Sequence, residues 1–305
     1  MLVIVCPGQG SQTPGFFSPW LELPTFRETI EVASTASGLD LETYGTLSDA
    51  DTIKDTAIAQ PLIVSASLAS YAALSAAGLE NVVGVAGHSV GELAAASIAG
   101  VFDTATAMEF VTKRGSEMAK AAGLTKSSMA AVLGGDRDEV VSYLNSRGLS
   151  AANYNGSGQI VAAGDADGIT ALAAEPMAGT RVIPLAVAGA FHTSFMEPAV
   201  AELANYAATL GTNDANIKLW TNKDGSIIES GSEYLDLLVK QVSNPVRWDL
   251  CMEAMVAAGV TALIELSPAG TLAGLAKRGM PGIETLALKT PDQLDAAIEL
   301  AKNHG

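Results

Sequence analysis

Cysteine, histidine and clustered positive charge are all scarce in this 305-residue chain, and each scarcity narrows what it does. Cys6 and Cys251 are the two cysteines, far apart in apolar segments. They read as buried thiols in a reducing compartment and not as a disulfide framework, so a cytoplasmic location is expected. Lysine and arginine total 17 against 33 aspartates and glutamates, a formal net charge of -16, with no basic run. Binding nucleic acid needs a concentrated positive surface, so nucleic acid is not an expected partner. The three histidines are scattered and no close Cys/His spacing exists, so no metal site is expected. The apolar opening Met1–Val5 lacks a basic flank and stops at Pro7-Gly8. At that length it is neither a signal peptide nor a span, so it reads as a first strand, and no membrane association is expected. Internal repeats and low-complexity tracts are lacking too.

What is present is a buried core. Apolar residues make up 49% of the chain and charged ones only 16%, which suits a globular fold of one large domain, or of a large one with a smaller companion. Strand-like runs alternate with helical ones: Met1–Cys6, helix Pro24–Gly38, the alanine-rich helix Ile58–Gly78, strand Val82–Ala86, helix Glu92–Ala99, helix Ala105–Ala122. This alternation predicts an α/β fold around a mostly parallel sheet. A different unit follows Gly123. Strand Met129–Leu133, helix Asp136–Ser146, strands Ser150–Tyr154 and Gln159–Ala163, a helix capped by Asp165 and strand Arg181–Val187 give the order βαββαβ of a ferredoxin-like subdomain. Its ends lie within the larger domain, so the expected division is 1–123 plus 191–305 for the core and 124–190 for the insertion. The layered pattern then resumes with helix Pro198–Leu210, strand Ile217–Thr221, helix Glu233–Val242 and a helix Pro245–Ala258 opened by its proline. Strand Ala262–Leu266, helix Thr271–Lys277, strand Thr285–Leu288 and a helix from Pro291 complete it.

Between strand and helix stands Gly87-His88-Ser89-Val90-Gly91. Such a turn is tight enough to need glycines on both sides of the serine. It lifts Ser89 Oγ into solvent and aims the following N–H groups, Val90 among them, at an oxyanion. A nucleophilic serine needs a base. His304 lies one residue from the C-terminus, where fraying is expected, and His88 leaves the elbow in another direction. His192 remains, where the insertion returns to the core, with a satisfied core histidine as its other reading. The glycine-rich Pro7-Gly8-Gln9-Gly10-Ser11-Gln12 can supply a second oxyanion N–H or cradle a phosphate, although it lacks the P-loop ending. Arg114, on an otherwise apolar helix, is either a solvated or salt-bridged surface residue or a bidentate clamp for a substrate carboxylate.

These motifs, with Phe191-His192 and Gln241…Asn244-Pro245-Val246-Arg247-Trp248, resemble malonyl-CoA:acyl carrier protein transacylases over nearly the whole chain. The resemblance implies a hydrolase-like core with a ferredoxin-like insertion. It also implies transfer of malonyl from malonyl-CoA to the phosphopantetheine thiol of acyl carrier protein through a malonyl-serine, for fatty-acid or polyketide synthesis. By the same resemblance Ser89 attacks and His192 takes its proton. N–H groups of Gln9 and Val90 hold the oxyanion, Arg114 pairs with the malonyl carboxylate, and a backbone carbonyl near Gln241 orients the histidine. On that basis loss of the Gln241 side chain is expected to hurt little. Phe191 goes with malonyl over methylmalonyl choice, or is a core aromatic. No bound cofactor is implied, and a monomer is expected. An acidic carrier must dock on an acidic chain of pI ≈ 4.5, which requires a local basic patch. Lys277-Arg278 is the candidate, unless it is only a solvated helix end.

Two rivals stand beside this reading. A serine esterase places an acid before a late histidine, whereas more than a hundred residues follow His192, and it leaves Arg114 without a task. A non-catalytic acyl-binding subunit would tolerate loss of Ser89 or His192, and both are present.

Overall fold

Every residue of Leu2-Val3-Ile4-Val5-Cys6 is apolar, a pattern suited to a strand covered on both faces. In the computed structural model, which describes residues 1–305, this run is β1 and all five of its residues are buried. Helices α1 (Pro24–Ser37), α2 (Leu41–Thr46), α3 (Ala50–Ile53) and α4 (Thr56–Ala76) follow, then β2 (Val82–Gly87), α5 (Gly91–Ile98) and α6 (Thr104–Leu124). The next six elements are β3 (Ser127–Leu133), α7 (Arg137–Ser146), β4 (Ser150–Gly156), β5 (Gln159–Asp165), α8 (Ala166–Ala174) and β6 (Arg181–Pro184). After them come α9 (Glu197–Ala207), β7 (Lys218–Leu219), α10 (Gly231–Gln241) and α11 (Trp248–Ala257). Strand β8 (Ala262–Glu265), α12 (Thr271–Gly279), β9 (Glu284–Ala287) and α13 (Leu294–His304) close the chain.

Five strands form a parallel sheet in the order β7-β2-β1-β8-β9. The other four form an antiparallel sheet, β4-β5-β3-β6, the strand order of a ferredoxin-like βαββαβ unit. The α/β class and the two kinds of sheet agree with the alternation in the sequence. Helix α4 is long and apolar enough to cross a bilayer, with a mean hydropathy of 1.5 over its most apolar window. That window is 78% buried inside the fold, so its apolar surface is already covered by protein. The cap expected at Asp165 holds, its side chain accepting from the N–H groups of Asp167 and Gly168; Asp136, expected as the first helical residue, is likewise a cap and accepts from those of Asp138 and Glu139.

Several sequence expectations are corrected. Helix α11 starts at Trp248 and Pro245 does not open it. Val246 N–H donates to Ala152 O at 2.9 Å and Tyr154 N–H to Val246 O at 2.9 Å, so the backbone at Val246 lies along β4 instead of turning helical. Strand β6 ends at Pro184 and not at Val187. It is the sheet's edge strand, where a proline is tolerated. After one further bond, from Leu185 N–H to Met129 O at 3.0 Å, the chain leaves the sheet, and Leu185 and Val187 line a cavity. Strand β7 has two residues where five were expected; beyond it Thr221 N–H donates to Ser226 O and Asn222 N–H to Glu92 Oε1, so neither extends the ladder to β2. Helices α2 and α3 were not anticipated, although Asp40 and Asp49 cap them.

Candidate active site

The turn between β2 and α5 works only with glycine at its two ends. A Cβ on Gly87 would stand 2.0 Å from the Gly91 carbonyl carbon, and one on Gly91 would stand 2.2 Å from Cys6 O. Ser89 between them takes φ 54°, a left-handed backbone that non-glycine residues rarely adopt. Asn222 holds that strain in place. Its Oδ1 accepts the Ser89 N–H at 2.7 Å, its Nδ2 donates to Gly87 O at 2.7 Å, and its own N–H donates to Glu92 Oε1 at 2.5 Å. Neither Asn222 nor Glu92 was found from sequence. The signal for Glu92 was its place directly after the pentapeptide; Asn222 had none.

His192 comes to the serine from the end of the inserted unit. Ser89 Oγ and His192 Nε2 are 2.7 Å apart, and His192 Nδ1 is 2.8 Å from Gln241 O. An acceptor carbonyl at Nδ1 fixes the tautomer that carries its proton there, leaving Nε2 free to take the serine proton. His192 also has φ 61°, held by its N–H donating to Val242 O at 3.0 Å. The re-entry loop is tied to the first residue of β3, since Ala190 N–H donates to Ser127 Oγ at 3.0 Å. Burial first, and then the positive charge of Arg114, push the His192 pKa down to about 3. The imidazole is therefore neutral, the form a base requires.

The other two histidines separate as expected in one case and not in the other. His88 turns away to Asn155 Oδ1, 2.9 Å from its Nε2, and so braces the elbow against β4. His304 is not frayed: its Nδ1 is 2.9 Å from Thr261 Oγ1, and Glu284 lies 3.4 Å from its Nε2.

Ser89 and His192 open on a cavity of about 240 Å³ that also exposes Gln9, Gln60 and Phe191. Met129, Val161, Leu185 and Val187 from the inserted unit line its other side. The N–H groups of Gln9 and Val90 carry no hydrogen bond from the fold. They are the two donors expected to face an oxyanion; Gln9 lines the serine's cavity, and Val90 follows Ser89 directly in the chain. Gln9 is steadied by its side-chain amide, which donates to Thr56 Oγ1 at 3.3 Å.

Arg114 is not a surface arginine. It is 1% exposed and makes no ion pair. Its Nη1 donates to Gln60 Oε1 at 2.6 Å and its Nη2 to Gln241 Oε1 at 2.7 Å, while Nε has no partner. Burial pushes its pKa down to about 10, which still leaves it charged at neutral pH. A buried guanidinium held by neutral amide oxygens alone is costly, and the cost falls when an anion arrives. The Gln241 side chain is likewise busy. Its amide nitrogen donates to Ser89 O at 3.0 Å and to Glu92 Oε2. The expectation that Gln241 matters only through its backbone is corrected: the side chain joins the guanidinium to the elbow.

Lys277 and Arg278 do not act as a pair. Both are exposed at the end of α12, whose first N–H groups are capped by the buried carboxylate of Glu265. Arg278 reaches Gln159 Oε1 at 3.4 Å, at the edge of the catalytic cavity, whereas Lys277 lines a separate surface groove with Glu284 and Glu299.

Comparison with known proteins agrees with this geometry. The profile described as an acyl transferase domain matches residues 3–291. The malonyl CoA-acyl carrier protein transacylase of Mycobacterium tuberculosis is 46% identical over 304 residues, covering 98% of this chain and 100% of its own. Its namesake in Escherichia coli K12 is 34% identical over 303 residues, covering 97% and 98%. The crystal structure of the M. tuberculosis protein matches with a TM-score of 0.93 at 47% identity, over 98% of this chain and 99% of that one. A malonyl-transacylase solved in complex with its type II PKS acyl carrier protein matches at 0.94 and 29% identity, over 98% and 99%. With a serine elbow and a carbonyl-oriented histidine on one cavity, a buried arginine tied to them through Gln241, and these likenesses spanning its length, the chain belongs to the malonyl-CoA:acyl carrier protein transacylase family of acyltransferases.

Proposed function

We propose that this protein moves the malonyl group from malonyl-CoA to the phosphopantetheine thiol of acyl carrier protein, supplying extender units for fatty-acid or polyketide synthesis. The observation that carries the reading is the 2.7 Å contact of Ser89 Oγ with a neutral, carbonyl-oriented His192, beside a buried arginine with unused donors.

His192 Nε2 takes the Ser89 proton as Oγ bonds to the thioester carbonyl carbon. The N–H groups of Gln9 and Val90 receive the oxyanion. When the tetrahedral intermediate collapses, the carbon–sulfur bond breaks and the imidazolium returns its proton to the departing CoA sulfur. The malonyl-serine then meets the carrier's thiol, His192 takes that proton, and the same steps run in reverse to restore Ser89. Arg114 holds the free carboxylate through both halves, and no bound cofactor takes part. The carbonyl of Gln241 orients the imidazole, so no carboxylate touches His192. An aspartate there would repel the substrate's acid. As malonate pairs with Arg114, the positive charge that depresses His192 is offset, so its pKa rises toward a base strength useful at neutral pH.

Mass spectrometry tests the proposal directly. Incubation with malonyl-CoA is expected to add one malonyl group to the peptide bearing Ser89, and holo-acyl carrier protein is expected to remove it and become malonylated. An adduct that only water removes would point to a thioesterase, and no adduct to a binding module.

Phe191 is buried at the cavity wall beside His192. Its ring fills space that a methyl on the malonyl α-carbon would need. Phe191→Ser is expected to raise kcat/KM for methylmalonyl-CoA relative to malonyl-CoA by about 10- to 200-fold, the range for a methyl clash relieved. An unchanged ratio in competition assays would leave Phe191 as core packing alone.

For carrier docking the cavity-edge position favours Arg278 over Lys277. Arg278→Glu is expected to raise KM for the carrier by about 2- to 5-fold, in line with an exposed ion pair, while KM for malonyl-CoA stays level. Lys277→Glu is expected to do less. Equal effects, measured at low ionic strength, would mean that the basic patch is not centred on the cavity edge. The proposed setting is a cytoplasmic monomer.

A further inference from the structure

We propose that Glu92 is a positioning residue: through the side-chain amide of Gln241, its carboxylate fixes the guanidinium of Arg114 and thereby sets the preference for an acyl group that ends in a carboxylate. The proposal deepens the reading of Arg114 given above and rests on it.

Glu92 lies on the first turn of α5, three residues past the nucleophile, and is 1% exposed. Each of its oxygens faces a donor. Oε1 accepts the backbone N–H of Asn222 at 2.5 Å, and Oε2 accepts from Gln241 Nε2. The backbone N–H cannot become an acceptor. Nor can the amide of Gln241 turn over, because its oxygen already accepts from Arg114 Nη2 at 2.7 Å and a guanidinium has no lone pair. With both neighbours committed as donors, residue 92 must accept at both oxygens. An ionised carboxylate does so fully; a protonated one accepts only weakly at its hydroxyl oxygen, and a glutamine offers a single accepting oxygen. Turned the other way, the Gln241 NH₂ would point at the N–H groups of Arg114, and the guanidinium would lose one of its two anchors. The order carboxylate, amide, guanidinium is therefore directional.

Placing the acid at one remove has a chemical consequence. A carboxylate in direct contact would neutralise Arg114 and repel the substrate's own acid. From behind Gln241, Glu92 still favours the charged guanidinium through space, yet the donors of Arg114 stay open for malonate. The same Gln241 nitrogen touches Ser89 O at 3.0 Å, so the acid clamp and the nucleophile share one brace.

The brace can titrate. Facing Glu92 are Arg114 from α6, Tyr234 from α10 and Cys251 from α11, the last two kept neutral by burial and by Glu92 itself. A cavity of about 410 Å³, separate from the one at Ser89, reaches Glu92 and Gln241 and carries Lys223, Lys240 and Arg247 on its wall. Burial pushes Glu92 up to about 7 while His192 is held near 3. Glu92 is thus ionised above neutrality and protonated below it, over a range in which His192 of the free protein, the state that kcat/KM reports, does not change.

The test compares kcat/KM for malonyl-CoA with that for acetyl-CoA, which lacks the carboxylate, across pH values on both sides of neutrality. In the unmodified protein the malonyl-to-acetyl ratio is expected to fall as pH drops through about 7. Glu92→Gln is expected to lower the ratio about 10- to 100-fold at high pH, as for loss of a hydrogen bond to a charged group, and to remove its pH dependence. A flat ratio in the unmodified protein overturns the proposal even if the variant fails to fold. So does a folded Glu92→Gln that keeps both the ratio and its pH dependence. Arg114→Ala measured alongside separates the two readings. If it collapses the ratio while Glu92→Gln does not, the brace alone is wrong; if it leaves the ratio intact, the clamp itself is wrong.

Discussion

Ser89→Ala is expected to abolish the malonyl adduct and to lower transfer to carrier protein by at least about 10⁴-fold, the scale seen when a serine nucleophile is removed. No neighbouring group can replace it. His192 Nε2 is 2.7 Å from Oγ and is buried behind it; of the cavity's other polar side chains, His88 is bonded to Asn155, Thr271 stands at the start of α12, and the rest are amides. Stability is expected to change little, since Oγ has His192 as its only hydrogen-bond partner and the elbow is held by Asn222 through backbone atoms of Ser89 and Gly87. Alanine meets the same φ of 54°. Rapid-quench labelling with malonyl-CoA, followed by intact-mass measurement, checks both parts. Residual labelling at another residue would remove the nucleophile from the account.

Arg114→Ala is the second large effect. Here kcat/KM for malonyl-CoA is expected to fall about 10²- to 10⁴-fold, matching the loss of about 3–5 kcal/mol when a buried ion pair is left with one partner. Acetyl-CoA brings no carboxylate and is expected to lose far less, so that selectivity inverts or vanishes. Arg114→Lys is not expected to rescue. A single ammonium cannot span Gln60 Oε1 and Gln241 Oε1 at 2.6 and 2.7 Å and still present donors to a carboxylate. Thermal denaturation belongs beside the kinetics, because the variant leaves two buried amide oxygens without their donor. Equal losses for both thioesters would mean that Arg114 serves the fold and not the substrate.

Much of this was legible from spacing alone. The elbow was, because a strand, a helix and two glycines around a serine permit few backbones. The inserted βαββαβ unit was, because its period and turns differ from those of the flanking α/β layers. With three histidines in the chain, choosing the base was nearly an elimination. Less legible were contacts that depend on where unrelated segments meet. Nothing around Asn222 marks it as the residue that holds Ser89 N–H, since the two are 133 positions apart. Gln241 looked like a backbone carbonyl that accepts from the histidine and nothing more, yet its side chain also faces Arg114, Glu92 and Ser89. Pro245 looked like a helix start, but the edge of β4 captured the backbone at Val246 first.

By itself the amino-acid sequence determined the layered α/β class and the inserted unit and singled out Ser89 and His192 as the candidate pair, because each follows from local periodicity or from the scarcity of alternatives. Tertiary structure alone decided that Arg114 is buried without a counter-ion, that Glu92 and Gln241 stand behind it, and that Lys277 and Arg278 face different ways. Those facts depend on burial and on which donors find acceptors across the fold. Neither is a property of any one segment.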